Sequence, residues 1–325
     1  MNVADLSLTP AASGATLPLV ISPRETGGKL AGLVGLGDFL NEKIHLHGAV
    51  LLRGFGPHET AEFESFVREL DGEPLDYTER SSPRSVVDGK VYTSTSYPAD
   101  MEIFMHNEQS YNLNFPQRLF FMCVTPPPAG GETLLADSRR VLARLDPEVV
   151  RRFEKDGYLL VRNYRPGLGL PWSEVFGTDD RDEVTAYCHS RDISVEWTAD
   201  GLRTTQRRDV IATHPVTGES SWFNHATFFH VTTLDPEMAD VLVEGYGADG
   251  VPTNTCYGDG SPIDDTTVAH LRDAYRQETT GERWEAGDVL IVDNVLASHG
   301  RAAYTPPRWI VLAMAKAGQW GPVAG

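Results

Sequence analysis

The chain is poor in cysteine and in basic residues and has no long apolar run. Each shortage removes a class of function. Cys123, Cys188 and Cys256 are the only cysteines in 325 residues, and no two form a Cys-x-x-Cys pair. So odd and scattered a set suits neither a disulfide framework nor a zinc knuckle, and reduced thiols in a cytoplasmic protein are the simple reading. No stretch approaches the roughly 18 consecutive apolar residues of a membrane-spanning helix, so no membrane partner is expected. The N-terminus shows no basic segment leading into an apolar run, the pattern of a secretory signal. Lys and Arg number 28 against 46 Asp and Glu, a net charge of −18, which argues against nucleic acid as a partner. Arg139-Arg140, Arg151-Arg152, Arg162 with Arg165, and Arg207-Arg208 could still build a local positive patch, although ordinary solvated surface is the simpler reading.

What is present is enough apolar sequence, 41%, for a sizeable core. Residues 1–17 show no clear period and read as a flexible N-terminal arm, leaving 18–325 as one domain. Ala49 to Phe55 reads as a buried strand closed by a glycine. Glu59 to Leu70, with Phe63, Phe66, Val67 and Leu70 at helical spacing, reads as an amphipathic helix. Gln117 to Thr125 is β-like and is broken by Pro126-Pro127-Pro128. Ser138 reads as the cap of a helix, Asp137 as a turn or cap residue, and Asp146-Pro147 and Asp235-Pro236 as two further helix starts. Strands return at Asp288 to Asp293 and Trp309 to Ala315. Many short strands with helices gathered around them predict an α+β fold with a sandwich or barrel core.

Two distant segments carry the chemistry. His106-Asn107-Glu108 has i, i+2 spacing, which on a strand puts both side chains on one face. His299 lies far downstream in Asp293-Asn294-Val295-Leu296-Ala297-Ser298-His299-Gly300-Arg301. Two histidines and a carboxylate can hold one face of Fe(II) and leave the other open to a cosubstrate and O₂. Arg308 opens the next β-run and could pair bidentately with a cosubstrate carboxylate, helped by the Thr133 hydroxyl in Gly130-Gly131-Glu132-Thr133.

In these motifs the chain resembles the taurine dioxygenase / clavaminate synthase-like superfamily of Fe(II)- and 2-oxoglutarate-dependent oxygenases. Within it, the chain is most similar to the syringomycin-type β-hydroxylases. The matching segments also include Gly48 to Phe55, Ser82-Pro83-Arg84, Val91 to Thr95, Trp222-Phe223-Asn224 and Tyr257 to Ser261, in family order. The resemblance implies a double-stranded β-helix, or jelly-roll, with flanking helices. It implies Fe(II) on His106, Glu108 and His299, and 2-oxoglutarate held by Arg308 with Thr133, Arg301 being the second choice. O₂ and 2-oxoglutarate would be cosubstrates. The implied reaction hydroxylates an unactivated C–H of an amino acid or an amino-acid-derived intermediate, free or on a peptidyl carrier protein, and releases succinate and CO₂. Related halogenases replace the carboxylate with a small residue, so Glu108 argues against halogenation.

Thr95, Tyr97, Tyr111 and Asn224 are candidate substrate contacts. Residues 165–183 read as a loop with a short helix and strand-like runs follow through 232, while the polar, aromatic and arginine-rich stretch of about 165–208 as a whole reads as a long lid-like loop. His225 and His230 are more simply lining or surface residues than a second metal site, and His45 and His47 are read as structural. Desaturation, epoxidation or cyclisation would use the same ligands. A jelly-roll protein that binds without catalysis is the alternative of another class.

Overall fold

A computed structural model of the chain describes residues 1–321, apart from 12, 13, 26, 57, 58, 78–84, 95 and 96. The sheet at its centre has eight strands, in the order Leu6–Thr9, Leu19–Pro23, Ala49–Leu52, Val289–Asp293, Asn114–Thr125, Trp309–Gln319, Val91–Thr93 and Val86–Asp88. A smaller sheet faces it, ordered Thr280–Gly281, Thr133–Asp137, Ala297–Arg301 and Ile103–His106.

Period-two alternation explains how the layers pack. Along Asn114–Thr125, Leu119, Phe121 and Cys123 turn inward, into a buried cluster shared with Leu135 and Ala297 of the smaller sheet. Phe120 and Met122 turn the other way. They pack with Phe63, Phe66 and Val67 of the helix Thr60–Asp71 and with Leu40 and Ile44 of the helix Gly37–His47. The Phe66 and Phe120 rings meet edge to face at 6.4 Å. Two-sheet packing of this kind, with strands distant in sequence lying side by side, is the jelly-roll arrangement expected from the sequence.

A third sheet, Ile193–Trp197, Leu202–Arg208, Tyr158–Tyr164 and Thr253–Tyr257, lies beyond the sandwich. It encloses a second core, with the helix Asp265–Glu278 contributing Val268, Leu271 and Tyr275.

Three expectations change. Residues 6–9 are not a loose arm: they pair with Leu19–Pro23 as an edge strand, and Leu6 is fully buried. Their partner supplies the order, and a local period could not reveal it. The stretch 165–208 carries more regular structure than a loop with one short helix and strand-like runs. It holds the helices Trp172–Phe176 and Arg181–His189 and two strands, closed over a small core of Val175, Val184, Cys188, Ile193 and Leu202. Finally, Asp137 rather than Ser138 caps the helix Ser138–Arg144, its carboxylate accepting from the Arg139 and Arg140 N–H groups.

Phe120 joins the sheet to both helices, so Phe120→Ala is expected to destabilise the fold by about 3–5 kcal/mol, the usual cost of a core phenylalanine cavity. Urea denaturation followed by circular dichroism measures it.

Candidate active site

The strands Ile103–His106 and Ala297–Arg301 run antiparallel, with His299 directly opposite His106. Their rings lie 4.4 Å apart between centroids. Glu108 Oε2 is 3.7 Å from His299 Nε2, and one ligand atom from each of the three residues lies within 4.8 Å of the others. All three residues are buried. His106 Nδ1–H donates to the Phe104 carbonyl at 2.9 Å, so the ring's lone pair belongs to Nε2. Two imidazoles and one carboxylate in this arrangement are a donor set that suits Fe(II).

The carboxylate reaches the histidines by a turn, not by strand pleating as the spacing suggested. The strand ends at His106, and Gln109 takes a left-handed backbone, φ 54°. Asn294 fixes that turn. Its Oδ1 accepts from Glu108 N at 2.7 Å, and its Nδ2 donates to Glu108 O at 2.9 Å and to Pro116 O at 2.7 Å. Asn107 answers, donating to Asn294 O at 2.8 Å. Asp293, one residue earlier, accepts from Val295 N and Leu296 N and so shapes the turn that leads to His299. Gly300 is required beside it, since a Cβ there would stand 2.6 Å from Ile103 O.

Thr133, Ser94, Arg301 and Arg308 line one cavity with His106, His299 and Phe121. Arg308 Nε donates to Gly131 O at 2.9 Å and Nη1 to Ser94 Oγ at 3.3 Å. Burial, then the neighbouring Arg301 charge, push the Arg308 guanidinium down to about 10, so it stays a cation at neutral pH while lacking much of its hydration. Gly131 makes room for it: a Cβ there would lie 3.0 Å from Arg308 Cδ. Arg301 differs. Its Nη1 and Nη2 donate to the carbonyls of Tyr97, Pro98 and Met101, which ties down the 97–101 loop.

A wall of aromatic rings closes the other side of His106. Phe228 lies 4.6 Å and His225 5.3 Å from its ring, and Tyr111 and Phe229 pack on His225. Ser110 Oγ lies 2.6 Å from His225 Nδ1. Burial first, then His106 and Arg162, hold His225 well below its ordinary value, so it is neutral.

Of the other residues singled out from sequence, Tyr111 is buried in this wall, whereas Tyr97 is 42% exposed. Asn224 is buried, its Nδ2 donating to Val210 O and its Oδ1 accepting from Ala226 N. Thr95 and the Ser82-Pro83-Arg84 motif lie outside the described residues. Sequence reasoning missed the gathering of His45, His214 and Asp293. His214 Nδ1 accepts from Val216 N and Thr217 N, and its Nε2–H donates to Asp293 at 3.2 Å, so both nitrogens are engaged in hydrogen bonding. Burial alone would raise the Asp293 carboxyl, but His214 and Arg118 outweigh it and hold it below the usual carboxylate range.

The model of the family "Taurine catabolism dioxygenase TauD, TfdA" matches residues 21–314. The chain belongs to this family. It is an Fe(II)- and 2-oxoglutarate-dependent dioxygenase, as its motifs implied. It is 38% identical over 280 residues to the dapdiamide synthesis protein DdaC of Enterobacter agglomerans, covering 86% of this chain and 84% of that one. It is 29% identical over 293 residues to a clavaminate synthase-like protein of Arabidopsis thaliana, again covering 86% and 84%. PvcB, described as an Fe, alpha-ketoglutarate dependent oxygenase from an isonitrile synthetic pathway, superposes with a TM-score of 0.59 at 15% identity over 97% of this chain and 93% of that one. At that identity the likeness bears on the fold.

Asn294→Ala removes the clamp on Glu108 while leaving all three donor side chains. Metal affinity is expected to fall about 10–100-fold, the usual effect of removing a residue that orients a ligand. Anaerobic Fe(II) titration, with circular dichroism to verify folding, measures it.

Proposed function

We propose that this dioxygenase hydroxylates an unactivated C–H bond of an amino acid or an amino-acid-derived intermediate in the biosynthesis of a natural product, releasing succinate and CO₂. The observation that carries the reading is the coincidence of His106, Glu108 and His299 with a buried arginine, Arg308, in one cavity. The relation to a dapdiamide synthesis protein supports the substrate class.

In this reading His106, Glu108 and His299 hold Fe(II), and Arg308 takes the C5 carboxylate of 2-oxoglutarate with Thr133 beside it. Once bound, iron and 2-oxoglutarate supply the oxidising power for C–H cleavage. The chain's own residues bind, orient and exclude water. Arg308, short of hydration, gains most from a carboxylate partner. Phe228, His225 and Phe229 keep water from the His106 side, and the neutral His225 adds no charge there. The folded segment 165–208 serves as the cover of the substrate side. Gln206 and Arg208 at its end donate to the Tyr111 carbonyl and so hold the cover to the segment that follows Glu108.

Delivery as a free small molecule is favoured over delivery on a peptidyl carrier protein. An acidic carrier needs a positive patch, and the arginine pairs are largely neutralised. Arg139 pairs with Asp137 and Glu219, Arg140 with Glu278, Arg152 with Asp259, and Arg165 with Asp200. Desaturation, epoxidation or cyclisation remains the second reading, since the same ligands serve each. Product mass separates them, because hydroxylation adds one oxygen and desaturation removes two hydrogens.

Anaerobic addition of Fe(II) and 2-oxoglutarate is expected to give a weak visible charge-transfer band. Its absence in folded protein would overturn the reading. His299→Ala is expected to lose the band and turnover together. Arg308→Ala is expected to keep a band but to need about 10–100-fold more 2-oxoglutarate, the cost of losing a charge-assisted hydrogen-bonding partner. If the 2-oxoglutarate requirement did not change, the carboxylate contact would pass to Arg301.

A further inference from the structure

Arg118 is among the largest fully buried side chains of the molecule. It lies on the strand Asn114–Thr125, where the register sets it beside Asp293 on one neighbouring strand and Ala315 on the other. Its guanidinium stands on the helix side of the large sheet, between two buried carboxylates. Nε is 3.6 Å from Oδ2 of Asp71, the last residue of the helix Thr60–Asp71, and Nη2 is 3.9 Å from Asp293 Oδ2. Nη2 also donates to Asn41 Oδ1 at 3.2 Å, while Nε and Nη1 have no hydrogen-bond partner among the described residues. A cation so sparsely hydrogen-bonded acts on its neighbours through charge. Packing alone does not call for it, since an apolar side chain fills such a place at a lower desolvation cost.

Lys316 leaves that charge to Asp293. Within the strand Trp309–Gln319 it takes a left-handed backbone, φ 54°, which is uncommon for any residue but glycine. Its amine meets Asp71 Oδ1 at 2.6 Å, so Asp71 is already matched by one cation. Asp293 itself faces Arg118 and the His214 Nε2–H, with the His45 ring edge to face on His214 at 5.1 Å. Burial first, then Arg118, hold His45 below its ordinary value, so it adds no cation at neutral pH. The other Asp293 oxygen accepts from Val295 N and Leu296 N, both at 3.1 Å, in the turn between Asn294 and His299. An ionised oxygen holds such donors about twice as strongly as a neutral one.

We infer that Arg118 is a positioning residue for the metal site: by setting a permanent cation against Asp293 it tightens the 293–296 turn, and so sets where Asn294 and His299 stand. The inference rests on His106, Glu108 and His299 being the iron ligands. Without the cation, burial carries the Asp293 carboxyl upward. The ionised form, and with it the firm turn, is then present above the raised value and lost as the pH falls through it.

The test is amide exchange at Val295 and Leu296 in the metal-free protein, with anaerobic Fe(II) affinity measured alongside, both from neutral to mildly acid pH. Each variant is read as a ratio to the wild type, which cancels proton competition at the ligands themselves. Arg118→Met is expected to bind Fe(II) about 10–100-fold more weakly at the acid end, the usual cost of losing an outer residue that orients a ligand, and to approach the wild type at neutral pH. Protection of the two amides is expected to fall with the same pH dependence, and Arg118→Lys should restore part of both. Asp293→Asn, which keeps the shape without the charge, should weaken both by the same factor at every pH, and it decides the matter if Arg118→Met does not fold. A deficit in Arg118→Met that is constant with pH is what a packing defect gives, and it would overturn the assignment. So would wild-type protection and affinity in Asp293→Asn. If the wild type took up no Fe(II), the ligand assignment would fall, while exchange of the two amides would still report on Arg118.

Discussion

The site depends on the mutual grip of Asn107 and Asn294. Two segments far apart in the sequence carry the three donor side chains, and neither alone holds a metal. The grip is made of side-chain amides on backbone groups, Asn294 on Glu108 and Pro116, Asn107 on the Asn294 carbonyl. Both residues are fully buried, where an unmet polar group is costly. Losing any one of these bonds is therefore costly, and together they help set where Glu108 stands relative to His299. The cost of the left-handed backbone at Gln109 is borne by the same contacts.

Around that grip, charge is arranged by burial. On one side a poorly hydrated Arg308 faces the cavity shared with His106 and His299. On the other a neutral His225 and its aromatic neighbours pack on the ligand ring. Behind the turn, Asp293 stays ionised because His214 and Arg118 outweigh its burial. Each of these states follows from what the group touches and how little water reaches it.

Much of this was legible before any fold. Phe63, Phe66 and Val67 at helical spacing gave the helix that backs the large sheet, and Asp146-Pro147 and Asp235-Pro236 marked helix starts that the caps bear out. The His-x-Glu and the later His and Arg could be linked because metal chemistry restricts residue type so strongly. The edge strand at residues 6–9 was not legible, nor, beyond a short helix and strand-like runs, was the packing of the segment 165–208. Their order comes from partners distant in sequence, and composition alone reads as loop.

By itself the sequence determined which chemistry is available: two imidazoles, a carboxylate and an arginine, in an order that matches one family of dioxygenases. Only the tertiary structure decided how they meet. Pairing of the strands Ile103–His106 and Ala297–Arg301 sets the histidines face to face, and the clamped turn brings Glu108 to them. It also gave the two arginines that line the cavity different partners, Arg301 the carbonyls of a loop and Arg308 the Gly131 carbonyl and the Ser94 hydroxyl. Residue type fixes what a group can bind, whereas orientation and burial, which fix what it does bind, come from contacts that no local stretch of sequence contains.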